Sequence, residues 1–273
     1  MLSHPIPNVL TIAGSDPSGG AGLQADIKTL SAHGAYATNV ITAVIAQNTR
    51  GVQTVEPVSA RMIRAQLDNL LDDVALDAVK IGMVSSREVA ETIAEALGRR
   101  RPRWIVLDPV MVAKSGDRLV DDAGLLAVRE VLVPLADVIT PNLPEAAALL
   151  GADVPRTPQA MEMMIEGLVA LGSRYGLLKG GHLPSAHCPD LLWMPDGQRW
   201  LEAPRLTTRN LHGAGCALSS AIAARLAHLP PGDSGVEGAI DAAKQWLHQA
   251  LQASGRLNVG QGKGPPHHFH RWW

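Results

Sequence analysis

Aromatic residues make up only 3% of this 273-residue chain, so any core must be assembled from Leu, Val, Ile and Ala. The apolar fraction of 46% supplies enough of these. Cysteine is equally sparse, with Cys188 and Cys216 alone. With no secretory n-region or h-region at the start, two cysteines point to a reducing, cytoplasmic setting rather than a disulfide framework. Neither sign of charge dominates, and a formal net charge of −2 gives no electrostatic reason to expect nucleic acid as a partner. No apolar run is long and free enough of charge to span a bilayer. Also missing are the P-loop signature G-x-x-x-x-G-K-[ST] and the H-R-D and D-F-G elements of protein kinases. The G-x-S-x-G nucleophile elbow and the H-E-x-x-H zinc motif are absent too. Any phosphoryl transfer must therefore use another architecture.

What the chain does have is alternation. Short apolar runs at 9–13, 40–46, 78–82, 104–108, 137–140 and 175–179 read as strands. Helical patterns at 21–33, 59–71, 86–99, 121–133, 143–150 and 158–171 lie between most of them. Such an order predicts an α/β fold with a mostly parallel sheet covered on both faces. The stretch 190–203 differs: two strand-like pieces flank Pro195-Asp196-Gly197, predicting a hairpin that adds an antiparallel edge. No repeat, low-complexity tract or linker divides the chain, so 1–273 reads as one domain. Glycine-rich and polar clusters fall directly after the strands: Gly14-Ser15-Asp16, Gln47-Asn48-Thr49, Gly82-Met83, Asp108-Pro109-Val110, Pro141-Asn142 and Gly180-Gly181-His182. In an open parallel sheet these positions share one edge, where ligands bind.

The most informative motif is N-L-H-G-A-G-C at 210–216, running into an alanine-rich helix. Gly213, Ala214 and Gly215 permit a tight turn, and the amides and dipole of the helix that follows favour a phosphate. Cys216 would sit in the first turn, where the same field favours a thiolate that can take a proton from a substrate hydroxyl. A-G-S-D-P-S-G-G-A-G-L-Q-A-D at 13–26 lacks dinucleotide-fingerprint spacing. It reads either as a plain strand-to-helix turn or as a loop over a small substrate, with Asp16 or Asp26 bonding its polar groups. In P-N-L-P-E at 141–145, Asn142 can cap a helix that Pro144 starts; Asn142 and Glu145 can also organise a hydrated Mg²⁺ and substrate phosphates. Lys179, ending a strand, needs an anion for its ammonium, and a phosphate supplies one. Cys188 has no such setting and reads as inert. The ending H-H-F-H-R-W-W lacks zinc-site spacing and reads as aromatic packing of the terminus onto the domain.

These motifs, in this order, resemble the ribokinase-like superfamily of small-molecule kinases, and within it the hydroxymethylpyrimidine/phosphomethylpyrimidine kinases. The resemblance spans nearly the whole chain. It includes V-I-A-Q-N-T-R-G-V-Q, V-K-I-G-M, L-D-P-V-M-V-A-K-S-G-D, K-G-G-H-L and G-P-P-H-H-F-H-R-W-W. It implies a three-layer α/β/α sandwich. It also implies an enzyme that uses Mg-ATP to phosphorylate 4-amino-5-hydroxymethyl-2-methylpyrimidine to its monophosphate and then its diphosphate, in thiamine biosynthesis. By the same resemblance Gln47 bonds the aminopyrimidine, Ala21, Met83 and Val110 pack on its ring, and Gly14 and Asp26 lie nearby. Gly213, Ala214 and Gly215 form the anion hole, and Cys216 holds the catalytic position. Asn142 and Glu145 organise Mg²⁺ and phosphate, with Lys179 on the phosphate side; a homodimer is also implied. Ala214 and Leu211 stand where many relatives have threonine, and Thr207 where many superfamily members have aspartate. A pyridoxine/pyridoxal kinase on the same scaffold is the nearest alternative, which Gln47 disfavours. A nucleotide-binding oxidoreductase is disfavoured by the glycine spacing, and a non-catalytic vitamin-binding module would leave Cys216 and Lys179 without a purpose.

Overall fold

The structure, a computed structural model, describes residues 5–111 and 120–273. The later part of the L-D-P-V-M-V-A-K-S-G-D motif, from residue 112, lies outside the described residues. Among the described residues, nine strands join one sheet in the order β3-β2-β1-β4-β5-β6-β7-β8-β9. They are β1 (Asn8–Gly14), β2 (Tyr36–Asn48), β3 (Gly51–Pro57), β4 (Ala78–Ile81), β5 (Trp104–Leu107), β6 (Val138–Ile139), β7 (Tyr175–Lys179), β8 (Asp190–Met194) and β9 (Gly197–Leu201). The central run from β2 to β7 is parallel; β3 pairs antiparallel to β2, as do β8 to β7 and β9 to β8.

The helices are α1 (Gly22–Ala32), α2 (Ala60–Asp73), α3 (Arg87–Arg99), α4 (Asp122–Ala127), α5 (Leu143–Leu150), α6 (Pro158–Ala170), α7 (Ala214–Ala227) and α8 (Val236–Gln252). Their starts follow local chemistry. Ser59, Ser86, Asp121 and Thr157 each accept a hydrogen bond from a first-turn amide. On α3, Val89, Ala90, Ile93, Ala96 and Leu97 make an apolar stripe at helical spacing that is buried.

Strand alternation divides the core into two layers. Leu10, Ile12, Val79, Ile81, Ile105 and Leu107 face one way and pack with apolar side chains of α2 to α6. Val9, Ala78, Val106, Val138 and Leu177 face the other way, toward α1, α7 and α8. The α7 layer is built largely from alanine, so the helix lies close to the sheet, buried along most of its length. Two residues beyond a core position on that same face come Lys80, Asp108, Thr140 and Lys179. The period of two therefore sends a row of polar groups from four parallel strands beneath the start of α7.

The expected three layers and hairpin edge are present. The structure adds a second antiparallel edge, β3, which follows β2 after a short turn and whose Val-Gln-Thr-Val-Glu run lacks the alternation that marks the other strands. It also adds α8, which covers the sheet beside α7. The ending packs onto the domain through its histidines rather than its tryptophans: His267 and His268 are buried and the His267 amide donates to the Ala250 carbonyl at 2.9 Å, while Trp272 and Trp273 stay exposed, Trp273 stacking on Phe269. No helix among the described residues is long and apolar enough to cross a membrane.

Gly176 of β7 stands opposite Trp193 of β8, and a Cβ there would approach the indole to 2.0 Å. Gly176→Ala is expected to cost about 1–3 kcal/mol of stability through overpacking, read by urea denaturation. An unchanged midpoint would contradict the packing of this edge.

Candidate active site

The six strand-end clusters do converge. Residues from each line one cleft of about 350 Å³ over the sheet edge, among them Gly14, Gln47, Met83, Asp108, Asn142 and Gly181. One wall is the start of α7. Gly213 has φ +73°, and a Cβ there would lie 1.9 Å from the Gly20 carbonyl oxygen, so only glycine fits the junction with the 13–21 loop. The amide of Ala217 makes the first helical bond, to the Gly213 carbonyl. Gly215 and Cys216 precede it, and their amides are the donors a helix start presents to an anion. The Ala214 amide is directed differently, to the Leu211 carbonyl at 3.2 Å, so it serves the turn.

Beneath this start lie two buried ion pairs. Lys80 Nζ is 2.8 Å from Asp26 Oδ2, with both side chains fully buried. Lys179 Nζ donates to Asp108 Oδ1 at 3.0 Å and lies 4.0 Å from Glu145 Oε2. A Cβ on Gly215 would come within 3.4 Å of Lys179 Nζ and 3.5 Å of Asp108 Oδ2, which places that pair directly against the turn. Burial alone would lower the pKa of each lysine. The carboxylates outweigh it: Asp26 for Lys80, and Asp108 with Glu145 for Lys179, so both ammonium groups are held charged. Burial likewise opposes ionisation of Asp108, but Lys179 and then Lys80 hold its carboxyl below the usual range. The result is two ammonium groups held charged beneath the turn, each matched by a carboxylate.

Cys216 lies within the field of Lys80 and receives the Gly22 amide. The thiolate expected from its helix-start position is nevertheless overruled. Burial pushes the thiol up to about 11, although Lys80 and the Gly22 amide pull the other way. At rest the group is a thiol.

Asp16 and Asp26 correct a second expectation, since neither is open to a ligand. Asp26 accepts from Thr11, Lys80 and Ser220, and it does not line the cleft. Asp16 accepts from the Ser18, Gly20 and Ala21 amides, the Ser18 hydroxyl and His212 Nε2, the last at 2.7 Å. Burial would raise its pKa, but the His212 bond, and then the Ser18 bonds, hold its carboxyl well below the ordinary carboxylate range. Asp16 organises the loop at 16–21 and ties it to the segment before α7.

The opposite end of the cleft is apolar with one amide. Ala43, Ile45 and Gln47 lie on one side of β2 by alternation. Ile45 and Met83 pack together with Val110 against them, while Gln47 and Ala21 line the same space. Gly14 is the floor: a Cβ there would meet Ile45 Cδ1 at 2.9 Å and Met83 Cε at 3.1 Å. A flat ring fits between such walls, and a carboxamide offers it one donor and one acceptor.

Asn142 and Glu145 bear out the capping reading of their motif. The Glu145 amide donates to Asn142 Oδ1 at 2.9 Å and the Asn142 amide donates to Glu145 Oε2 at 2.7 Å, a complete capping box, yet both residues also line the cleft. Among the described residues no cluster of three or more His, Cys, Asp or Glu is disposed around a metal position. A single carboxylate such as Glu145 would suit Mg²⁺, which keeps waters and takes phosphate oxygens as ligands when a nucleotide is bound.

The far end of the cleft contains residues the sequence did not single out. Asp190, Lys244, Arg205, Thr208 and Leu251 line it, with Lys244 Nζ 2.7 Å from Asp190 Oδ2. Cys188, read as inert, borders this end; burial raises its pKa, and its carbonyl accepts from Lys244. Leu211 lines the cleft and Thr207 does not. Lys80 is the principal residue missed, and Asp108 was placed on the strand-end edge without a role of its own. Their signal was a charge two positions past an apolar residue on neighbouring strands.

Replacing Lys80 with Met leaves the buried Asp26 carboxyl without its ion-pair partner. Lys80→Met is expected to lower stability by about 3–5 kcal/mol. Adding Asp26→Asn should recover part of the loss, because a neutral amide still serves Thr11 and Ser220. Equal denaturation midpoints for wild type and Lys80→Met would contradict the pairing.

Comparison with known proteins agrees with this geometry. The family model described as phosphomethylpyrimidine kinase matches residues 16–267. The chain is 49% identical to the hydroxymethylpyrimidine/phosphomethylpyrimidine kinase of Salmonella typhimurium, over 97% of this chain and 98% of that one. Among solved structures it is similar to an ADP complex of Bacillus subtilis pyridoxal kinase (TM-score 0.88, 36% identity, covering 97% of this chain and 98% of that one). It is also similar to phosphomethylpyrimidine kinase from Clostridium difficile (TM-score 0.78, 39% identity, covering 90% and 99%). A chain with this cleft and this likeness along its length belongs to the phosphomethylpyrimidine kinase family.

Proposed function

We propose that this enzyme transfers the γ-phosphoryl group of ATP to the hydroxymethyl oxygen of 4-amino-5-hydroxymethyl-2-methylpyrimidine, and then to the resulting monophosphate. The observation that carries this reading is the pairing, in one cleft, of a carboxamide-and-apolar slot with a cation-backed helix start. Gln47 bonds the aminopyrimidine edge, and Ile45, Met83 and Val110 hold the ring. The nucleotide occupies the end lined by Arg205, Thr208 and Leu251, with its γ-phosphate at Gly215 and Cys216.

In the first transfer the hydroxyl oxygen forms a bond to the γ-phosphorus and the bond from that phosphorus to the β,γ-bridging oxygen breaks, releasing ADP. The hydroxyl proton passes to Cys216, whose own proton has first gone to solvent. Lys80 and Lys179 stabilise charge on the transferring group from below. Glu145, through water and phosphate oxygens, is the residue that would hold Mg²⁺, which when bound neutralises phosphate charge. In the second transfer the acceptor atom is already an oxyanion, because a phosphate monoester is largely doubly charged at neutral pH. No base is needed there. Pyridoxine is a second acceptor to compare, since the likeness in fold to pyridoxal kinases is close and the ring slot is flat.

Steady-state rates with the hydroxymethylpyrimidine, its monophosphate and pyridoxine, measured side by side, test the reading. Wild type is expected to favour the two pyrimidines, and preferred turnover of pyridoxine would overturn the assignment. Cys216→Ala should lower kcat for the alcohol by about 10²-fold or more and lower it far less for the monophosphate. Equal losses would reject the base role. Gln47→Ala should raise KM for the pyrimidine more than for ATP, and an unchanged pyrimidine KM would reject ring recognition by the carboxamide.

A further inference from the structure

The run G-Q-G-K-G at 260–264 threads between two loops that border the cleft. Its three glycines make room for residues distant in the chain. A Cβ on Gly260 would lie 2.3 Å from Thr49 Oγ1, and one on Gly262 would lie 2.1 Å from the Thr49 carbonyl oxygen. One on Gly264 would lie 2.7 Å from Asn210 Oδ1. Thr49 is thereby enclosed and buried. Hydrogen bonds complete its seat: the Gly262 amide donates to Thr49 Oγ1 at 3.0 Å, and the Lys263 amide to the Thr49 carbonyl at 2.8 Å.

On its other side the run holds the segment before α7. The Gly264 amide donates to Asn210 Oδ1 at 3.2 Å, and the His212 amide donates to the Gly264 carbonyl at 3.0 Å. Asn210 Nδ2 in turn donates to Ser254 Oγ at 3.2 Å, just beyond α8. The run therefore sets the distance between the β2–β3 turn and the turn that starts α7. Gln47 stands two residues before Thr49, near the end of β2, and both border one hollow with Gly262. Strand pairing holds β2 less firmly at this point. The register slips between Ala46 and Gln47, with Gln53 of β3 as the extra residue, and β3 is an edge strand. A bulge breaks the ladder and twists it locally. The direction of the Gln47 carboxamide thus depends on what anchors the turn beyond it.

We propose that Thr49 is a positioning residue for acceptor recognition: seated in the 260–264 run, it fixes the turn that aims Gln47 into the ring slot. Thr49 does not line the cleft, so it acts through Gln47. A carboxamide meets the donor and acceptor of an aminopyrimidine edge in one orientation, and a small displacement loses that match. The inference rests on the recognition of the ring by Gln47 proposed above.

The test is Thr49→Val, which keeps the side-chain shape and removes Oγ1, with Thr49→Ser as the hydroxyl-preserving control. Thr49→Val is expected to lower kcat/KM for the hydroxymethylpyrimidine about fivefold, the scale of one hydrogen bond. KM for ATP should stay within about twofold of wild type, which also shows that the variant folds, and Thr49→Ser should restore the pyrimidine value. The decisive comparison is a cycle with Gln47→Ala. Once the carboxamide is gone, adding Thr49→Val should change pyrimidine kcat/KM by less than about twofold. A merely structural role would impair both substrates together, or persist at full size in the Gln47→Ala background; either result overturns the positioning role. So does a Thr49→Val enzyme that matches wild type while Gln47→Ala loses pyrimidine kcat/KM, and ring recognition then stands. If Gln47→Ala itself leaves pyrimidine kcat/KM unchanged, ring recognition fails, and the role of Thr49 falls with it.

Discussion

The site depends on buried charge held beneath one helix start. Lys80, Asp108 and Lys179 come from three parallel strands, and each lies two residues past an apolar position on the sheet face that α7 covers. Asp26 comes from α1 and completes the set. A lysine buried alone would lose its proton or leave the core, and a carboxylate buried alone would gain one. Paired, the two lysines stay charged without water. Removing one partner is expensive, while the intact set contributes little net stability. Its value is positional: in the proposed reaction two charged ammonium groups are already oriented toward the transferring phosphate, so little reorganisation accompanies transfer.

The two glycine-rich loops serve this arrangement. The 13–21 loop is shaped around Asp16, whose carboxylate gathers three backbone amides and His212. His212 stands just before Gly213, so the same hydrogen bond connects the 13–21 loop to the turn that starts α7. Close backbone contact between Gly213 and Gly20 completes the connection. Small residues are required here because two main chains, not two side chains, meet.

Much of this was legible in the sequence. Alternating apolar runs and helical patterns gave the parallel core, and the strand-end clusters located the cleft because chain direction alone puts them on one edge. Other features depended on contacts far apart in the chain. Asp16 meets His212 across 196 positions and Asp26 meets Ser220 across 194, so both looked available to a ligand when read locally. Lys80 lay within a short strand buried on both faces, where no polar face shows which way a side chain points. The Cys216 expectation failed for a different reason. Helix-start fields are visible in a motif, whereas the degree of burial that opposes them is a property of the packed fold.

The elevated thiol makes the account sharply testable. If Cys216 accepts the proton of the alcohol, its ionised fraction limits the first transfer at neutral pH, and that fraction grows as pH rises toward about 11. The most direct measurement is kcat/KM against pH for the alcohol acceptor, in wild type and Cys216→Ala. The account predicts a rise of about tenfold per pH unit between pH 7 and 9 in wild type and a flat profile in the variant. A wild-type profile that is flat across this range, or one whose rise survives in Cys216→Ala, would contradict it.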